Sequence, residues 1–279
     1  MIKRIKAFLD VLFHTPNPLK LIWAQLLVKT GMNKYFSIQM HGYKLKFSRS
    51  SLAVTLFANN NDRNEDEELL VKILKKGDTY VDVGANIGTL VFTAAGSVST
   101  TGKVIAIEAH PSTFENLKAN VALNQFTNIK LIHSAAGNKK GSLFFSNMNS
   151  DDQNKVTLQG NNSIEVEVQT LDEMLEAETA ITLLKIDVEG YEKFVLEGAA
   201  KTLQKTSIVL YESWDKHFSG FGYQAGAVIE ILETLGFKVY KIDGNTMKQI
   251  SVDYRSVNCE NLLAVKDIVS FCSDHGFSI

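Results

Sequence analysis

From residue 79 onward, short runs of apolar residues alternate with stretches in which apolar residues recur at helical spacing. The runs predict seven strands, at 79–83, 103–108, 129–134, 181–187, 207–212, 237–242 and 261–266. The stretches between them predict helices near 89–96, 112–124, 190–204 and 225–235. Most of the runs are apolar at nearly every position, which is typical of strands covered by helices on both faces. The pattern therefore predicts an α/β fold with a doubly wound, mostly parallel sheet.

The first 76 residues follow a different pattern. Apolar residues within 2–13 fall on one helical face, and a second helix is predicted from Pro18 or Leu19 to Lys29, closed by Gly31. Alternation over 35–48 predicts a β-hairpin. A further helix is predicted from Glu65 to Lys76, capped by Asn64 and ended by Gly77.

One polar, turn-rich region interrupts the strand–helix alternation. It lies at 146–163, and the runs on either side, 141–145 and 164–168, predict short strands. Such an insertion either forms a hairpin or loop over the ligand face of the sheet or is surface decoration. We therefore predict a basic N-terminal helical and hairpin extension at 1–50 and a main domain at 51–279, with the insertion at about 141–168.

Composition narrows the class of protein. The chain has 279 residues, enough for one large α/β domain, and no apolar run long enough to span a membrane. Its two cysteines lack metal-ligand spacing and suggest a reducing, cytoplasmic compartment.

Charge is unevenly distributed along the chain. Residues 1–50 carry nine Lys or Arg against one Asp, a net charge of +8, and the rest carries −10, because the total is −2. Either the basic segment complements the acidic body, or it meets an anionic partner. Its helices could lie on a membrane surface through residues 1–29, cover a groove of the main domain or mediate dimerisation.

The most informative stretch is a strand that runs into a glycine-spaced turn. Gly84 and Gly88 follow the run 80–83, and Thr89 opens a helix. Such a turn lets a nucleotide-like ligand approach the backbone and the free N–H groups of a helix N-terminus. Glu108 ends the next strand, 20 residues after Gly88, at the spacing of a carboxylate that binds ribose hydroxyls. The alternative is a solvated carboxylate at a strand end.

Acidic residues follow two later strands. Asp187 and Glu189 come after the fourth predicted core strand, Glu212 ends the fifth, and His217 lies five residues further on. If the sheet is parallel, these side chains converge on one side of the ligand, where they could act as a general base or hold a divalent cation. Glu189 is also compatible with a helix-terminal carboxylate, and His217 with a loop histidine.

These motifs together resemble the FkbM-type S-adenosylmethionine-dependent methyltransferases. The similar segments are YVDVGANIGTL (80–90), IAIEAHPSTFENLKANVALN (105–124), the AAG turn (135–137), VQTLDEML (168–175), LLKIDVEGYEKFVLEGA (183–199) and YES (211–213). The resemblance as a whole extends over roughly residues 64–266, about three quarters of the chain, and leaves the N-terminal 50 residues outside. The usual Glu-Pro pair after the second strand is replaced here by Glu108-Ala109-His110-Pro111.

The resemblance implies a Rossmann-like class I methyltransferase sheet of seven strands in the order 3-2-1-4-5-7-6, with the last strand antiparallel. It implies S-adenosyl-L-methionine as cofactor and methyl transfer to oxygen, commonly a hydroxyl of a sugar, a glycan or a small metabolite. Carried over by position, it assigns residues to three groups. The methionine part of the cofactor falls to Asp82, Gly84, Ala85, Asn86 and Gly88, the ribose to Glu108, and the adenine to Ala135 and Ala136. Asp187, Glu189 and Glu212 face the acceptor, with His217 as a further candidate base.

Two other classes of function are compatible with the motifs. A nicotinamide-dependent oxidoreductase shares the glycine turn and the terminal acid, and a non-catalytic interaction module could retain the fold. The acidic body and the missing Asn/Asp-Pro-Pro-aromatic motif argue against a nucleic-acid methyltransferase. The acceptor, a requirement for a divalent cation and the oligomeric state are not determined by the sequence.

Overall fold

The computed structural model describes residues 16–146, 156–157, 160 and 163–279. The predicted amphipathic helix at 2–13 and most of the insertion at 146–163 lie outside these residues. The strands are β1 (Ser37–Gln39), β2 (Lys44–Lys46), β3 (Thr79–Val83), β4 (Lys103–Glu108), β5 (Ile129–His133), β6 (Ala135–Ala136), β7 (Gly141–Ser146), β8 (Val156–Thr157), β9 (Ser163–Gln169), β10 (Ile181–Ile186), β11 (Thr206–Ser213), β12 (Lys238–Asp243), β13 (Thr246–Gln249) and β14 (Glu260–Val265).

Along the chain, most helices come between successive strands of the main sheet. They are α1 (Pro18–Thr30), α2 (Ser51–Ala58), α3 (Asn64–Ile73), α4 (Thr89–Val98), α5 (Pro111–Leu123), α6 (Leu171–Met174), α7 (Glu192–Glu197), α8 (Ala200–Gln204), α9 (Asp215–Phe218), α10 (Ala225–Thr234) and α11 (Ile268–His275). Two 3₁₀ turns, Met32–Tyr35 and Ser219–Phe221, follow α1 and α9.

Eight strands form the main sheet of the described chain, in the order β13-β12-β14-β11-β10-β3-β4-β5. Without β13 this is the expected order 3-2-1-4-5-7-6, and β14 is antiparallel to both of its neighbours. The prediction of a doubly wound, mostly parallel sheet is therefore confirmed. The extra edge strand β13 pairs with β12 across a turn at Gly244. This strand was not predicted from the sequence, because Met247 is its single buried apolar residue and the other three are polar and exposed, so no apolar run marks it.

Alternate residues of each central strand face two separate cores. Val81 and Val83 of β3 pack with α7, α8 and α10 on one face of the sheet. Tyr80 points the other way and packs with α3, α4 and α11. Because helices bury both faces, β3 and its neighbours need apolar residues at nearly every position.

Two predicted helices differ from the observed ones. Helix α3 ends at Ile73, before Gly77, and its N-cap is Arg63 without a side-chain cap, not Asn64. The predicted helix 190–204 is two short helices, α7 and α8, which meet at Gly198. Gly198 packs against the carbonyl of Gly137, so that a side chain there would collide with the backbone.

The described N-terminal residues up to α2 form a third core with Ile87 and with Phe92 of α4. The hairpin β1–β2, α1 and α2 bury apolar side chains against Ile87 and Phe92. Strand β2 is also tied to α5, because Asn120 and Asn124 accept hydrogen bonds from the N–H groups of Lys46 and Lys44. A domain boundary at residue 50 stays a prediction. Among the described residues, no helix combines the length and hydrophobicity needed to cross a membrane.

The insertion is organised around a small second sheet in the order β6-β9-β7-β8. The predicted flanking strands 141–145 and 164–168 are confirmed as β7 and β9, which pair antiparallel.

A buried hydrogen bond joins the N-terminal hairpin to α3. The hydroxyl of Tyr43 donates to Oε1 of Glu67 at 2.6 Å, and both side chains are buried. We expect Tyr43→Phe to lower the free energy of unfolding by about 1–3 kcal/mol, because it leaves a buried carboxylate oxygen without its donor. Urea unfolding measures this change, with Tyr35→Phe as the matched control at an exposed tyrosine. Equal stability of the two variants would contradict the role of this bond.

Candidate active site

A cavity of about 280 Å³ opens at the carboxyl ends of β3, β4, β10 and β11. This edge is where open α/β sheets bind ligands. The cavity is closed on its remaining sides by residues of α2, α3, β14 and the small sheet, including Leu52, Arg63, Phe145, Val156 and Asn261. Phe145 and Val156 come from β7 and β8, so part of the insertion lies over the ligand face. This is the first of the two alternatives that the sequence left open, and surface decoration was the second.

The glycine turn after β3 is held tightly in place. Gly84 has φ +86°, and a side chain there would collide with the carbonyl of Asp187 at the end of β10. The N–H groups of Gly84 and Ala85 donate to the carbonyl of Ile107. Asn86 also has a left-handed φ of +50°. This conformation is stabilised by a hydrogen bond of 2.8 Å from the N–H of Ile87 to the side-chain oxygen of Asn86. Gly84, Ala85 and Asn86 line the cavity, whereas Gly88 lies outside the lining and packs near Leu117.

Glu108 and the small residues of β6 line the same cavity. Its Oε2 accepts the N–H of Asn86 at 2.9 Å, and its Oε1 accepts the N–H of His110 at 2.8 Å. Burial raises the pKa of Glu108 to about 7, although these backbone N–H groups act in the opposite direction. A carboxylate has about four acceptor positions, so each oxygen keeps one. This arrangement suits a ligand with two adjacent hydroxyl groups, and Ala135 and Ala136 leave room beside it.

A buried lysine connects the ends of β3 and β10. Lys185 stands opposite Asp82 in the parallel pair, and its Nζ lies 3.4 Å from Oδ1 of Asp82 and 3.2 Å from Oδ2 of Asp187. Burial alone would lower the pKa of Lys185, but the charges of Asp187 and Asp82 outweigh it and raise that pKa. Burial raises the pKa of Asp82, opposed by Lys185. Sequence reasoning missed Lys185, although a lysine in an otherwise apolar strand signals a buried ion pair.

Three of the predicted acceptor-side residues meet in one cluster. Nδ1 of His217 lies 3.2 Å from Oε2 of Glu189 and 3.7 Å from Oε2 of Glu212. Cys259 donates to the other oxygen of Glu212 at 3.0 Å, and Trp214 packs on the His217 ring. Burial, and after it the charge of Asp187, raises the pKa of Glu212. The ligand atoms of Glu189, Glu212 and His217 lie within 4.8 Å of one another, so this set could also hold a divalent cation.

The four predicted catalytic residues do not all line the cavity. Glu189, Glu212 and Asp187 line the cavity, but His217 does not, and it reaches the two glutamates from outside the lining. Asp187 is paired with Lys185.

The loop that carries Glu189 depends on a second buried carboxyl group. Oε1 of Glu192 accepts the N–H groups of Val188 at 3.0 Å and Gly190 at 3.3 Å, and Tyr223 donates to the carbonyl of Gly190 at 2.6 Å. This support holds Glu189 at φ +57°, an unusual value for a residue with a side chain. Burial raises the pKa of Glu192 to about 8. Sequence reasoning missed Glu192 and Tyr223, since a glutamate at a helix start is usually a solvated residue.

Comparisons with known proteins agree with the motifs. The family described as "Methyltransferase FkbM domain" matches residues 82–239, more than half of the chain. The hexuronic acid methyltransferase AglP of Haloferax volcanii is 29% identical over 194 residues, which cover 67% of this chain and 78% of that protein.

Solved structures with a similar chain path include several methyltransferases. The crystal structure of Methyltransferase FkbM from Methylobacillus flagellatus is 14% identical, covers 77% of this chain and 55% of that one, and gives a TM-score of 0.43. The precorrin-6y C5,15-methyltransferase of Geobacter metallireducens is 12% identical, covers 73% of this chain and 87% of that one, and gives a TM-score of 0.44.

The raised pKa of Glu192 has a consequence for stability. Between the ordinary pKa of a glutamate and about 8, the folded chain holds a proton that the unfolded chain has lost, so the contribution of this group falls as pH rises. We expect the free energy of unfolding of the native protein to fall by about 2 kcal/mol more than that of Glu192→Gln between pH 6 and 8. Urea unfolding at both pH values measures this, with exposed Glu230→Gln as the control. If the free energy of unfolding of Glu192→Gln changes with pH as much as that of the native protein, Glu192 is not the source of this pH dependence.

Proposed function

The chain belongs to the FkbM family of S-adenosylmethionine-dependent methyltransferases, and from this premise we propose that it methylates a hydroxyl oxygen of a sugar. The observation that carries the proposal is the pair of cavity-lining carboxylates, Glu189 and Glu212, backed by His217. The named activity of the Haloferax volcanii relative supports a sugar as the acceptor class. Family membership also argues against the nicotinamide oxidoreductase that the glycine turn alone would allow.

The cofactor side of the cavity consists of the glycine turn, Glu108 and β6. We assign the methionine part to Asp82, Gly84, Ala85 and Asn86, which line the cavity, with Gly88 shaping the turn from outside the lining. We assign the ribose hydroxyls to the two open acceptor positions of Glu108, and the adenine to Ala135 and Ala136. The cofactor supplies an electrophilic methyl group on a sulfonium when it is bound. Excess negative charge in the cavity favours this cationic ligand.

The acceptor side favours a neutral group. Seven carboxyl groups line the cavity, against the two cations Arg63 and Lys185; the carboxyl groups are those of Asp66, Asp82, Glu108, Asp187, Glu189, Glu212 and Glu260. Lys185 is already held between Asp82 and Asp187, and Arg63 lies 3.5 Å from Asp66. A hexuronic acid offers both hydroxyl and carboxyl oxygens, and an anionic carboxylate would be repelled by this wall. We therefore assign a hydroxyl as the methyl acceptor.

A neutral hydroxyl needs a base when its oxygen attacks the methyl group. Glu212 is the best candidate, because it lines the cavity and its raised pKa increases its affinity for a proton. The hydroxyl proton passes to Glu212, while His217 orients Glu212 and Glu189 from behind. The negative charge of Asp187 is offset by Lys185 at 3.2 Å, so Asp187 is a positioning residue for the cavity wall in this scheme.

The acceptor class is tested with tritiated S-adenosylmethionine and two probes, methyl β-D-glucopyranoside and methyl β-D-glucuronide. Mild alkali distinguishes the two oxygens, because it releases methanol from a methyl ester and leaves a methyl ether intact. Alkali-stable label on the glucopyranoside supports the proposal, whereas alkali-stable label on the glucuronide alone would keep the hydroxyl as acceptor but contradict the preference for a neutral sugar. Label that is lost to alkali would move the acceptor to a carboxylate, and tight cofactor binding with no transfer to any hydroxylated probe would favour a non-catalytic module.

Glu108 gives a prediction about cofactor affinity and pH. We expect Glu108→Gln to weaken the binding of S-adenosylhomocysteine by about 10- to 100-fold, because charge-assisted bonds to the ribose are lost. Since the pKa of Glu108 is about 7, native affinity should fall by up to about tenfold from pH 8 to pH 6, and the variant should lose this dependence. Isothermal titration measures both effects. The exposed Glu115→Gln is the control, and unchanged affinity in Glu108→Gln would overturn the ribose assignment.

The proposed base gives a prediction about turnover. We expect Glu212→Gln to lower kcat by about 10²- to 10⁴-fold while S-adenosylhomocysteine affinity stays within about twofold. His217→Asn should lower kcat less, because the carboxylate stays in place. Exposed Glu230→Gln is the control for both variants.

Removal of metal ions from the native protein distinguishes a general base from a cation site. A base needs no metal, so EDTA should leave native kcat unchanged. Activity that is lost in EDTA and restored by Mg²⁺ or Mn²⁺ would instead make Glu189, Glu212 and His217 ligands of a divalent cation.

A further inference from the structure

The outward side of α1 and the turn after it expose large apolar side chains. Leu19 is 81% exposed, Trp23 50% and Tyr35 71%. We call this surface the docking face, and it consists of Leu19, Ile22, Trp23, Leu26, Met32, Tyr35 and Phe36. Positions 19, 22, 23 and 26 recur at helical spacing, so the four side chains of α1 share one face of the helix.

The opposite face of α1 is already buried in the protein. Leu21, Ala24 and Leu27 are buried, and Ala24 and Leu27 pack into the core formed with α2 and the hairpin. A surface helix of a globular protein normally carries polar residues on its outer face, whereas α1 exposes four large apolar residues there in addition to Lys20, Gln25 and Lys29. A patch of this kind marks an interaction surface.

The charges of the chain segment that carries the docking face indicate what covers it. From residue 11 to residue 61 the chain contains no Asp or Glu. The described part of this segment carries six exposed cations, namely Lys20, Lys29, Lys34, Lys44, Lys46 and Arg49. Apolar residues with Trp and Tyr among them, bordered by lysines, form the composition that binds the interface of an anionic bilayer.

We propose that the docking face binds the surface of an anionic lipid membrane, with α1 lying in the plane of the headgroups. A second copy fits less well, because a twofold interface would bring the same cations together with no acidic residue of this segment to pair with them. The chain's own residues 1–15 are also basic, with Lys3, Arg4 and Lys6 against Asp10, and would be repelled in the same way.

The docking face is one helix away from the candidate active site. Ala24 and Leu27 of α1 and Leu52 of α2 share a core, and Leu52 also lines the cavity. Membrane binding therefore places the cavity near acceptors at the bilayer surface. The proposal itself concerns the docking face and does not depend on which acceptor is methylated.

The test is flotation of the full chain with vesicles of phosphatidylcholine alone and of phosphatidylcholine with 30% phosphatidylglycerol. We expect binding to the anionic vesicles only, reduced at least tenfold by 500 mM NaCl. The triple variant Leu19→Ser, Trp23→Ser, Leu26→Ser should reduce binding at least tenfold. The matched control Val71→Ser, Val269→Ser changes exposed apolar residues of α3 and α11 and should bind within twofold of the native chain.

A spectroscopic measurement locates the contact. The chain has two tryptophans, so Trp214→Phe leaves Trp23 as its single tryptophan, which is excited selectively at wavelengths that tyrosine does not absorb. Its emission should shift to shorter wavelength on anionic vesicles and be quenched by brominated lipids. The proposal is overturned if vesicles of neither composition are bound, if neutral and anionic vesicles bind equally, or if sedimentation shows a dimer that the triple variant dissociates.

Discussion

The buried ion pair network at Lys185 is the constraint on which the two halves of the site depend. The lysine stands on β10 and holds Asp82 of the neighbouring strand β3 and Asp187 at the end of its own strand. Both aspartates line the cavity, and in our proposal Asp82 lies on the cofactor side and Asp187 on the acceptor side. A single side chain that is 7% exposed therefore fixes the distance between the two binding regions. Removing the cation would leave Asp82 as a buried charge without its partner, which is far more costly than losing a surface pair.

Around this network the cavity is strongly acidic, and burial is the common cause of its unusual proton affinities. The pKa values of Glu108 and Glu212 are raised chiefly because their carboxyl groups are removed from water. Glu192 shows the same effect outside the lining, where it supports the loop from Val188 to Gly190. Protein dipoles and hydrogen bonds hold these groups in fixed positions before any ligand arrives. A site of this kind binds cations and neutral hydroxyl compounds more readily than anions.

The sequence predicted the parts of this structure that depend on local pattern. The strands at 79–83 and 103–108 agree with β3 and β4 to the residue, because strands buried on both faces have a continuous apolar signal. Glu108 could be identified from its spacing to the glycine turn. Lys185, Glu192 and Tyr223 could not, since their partners lie in other elements and only the folded chain brings them together. His217 illustrates the same limit: its spacing to Glu212 predicted proximity, but whether it faces the cavity depends on the path of α9. The split of helix 190–204 depends on the close approach of Gly137 to Gly198, which no helical periodicity records.

The uneven charge along the chain gives the folded protein two regions of opposite charge, and these regions favour different kinds of ligand. The cavity is lined by seven carboxyl groups and two cations, whereas residues 16–61 carry only cations. An anion attracted to the N-terminal surface would be repelled at the cavity, so the two regions cannot serve one small anionic acceptor. The cations near α1 also lie beside exposed apolar side chains, which a soluble sugar would not cover. Basic charge next to hydrophobic surface is instead the combination that a lipid interface satisfies, because headgroups neutralise the lysines while the acyl region covers Leu19, Trp23 and Leu26. The opposite signs of the two regions therefore support our two proposals, membrane docking at the N-terminal surface and methyl transfer in the cavity.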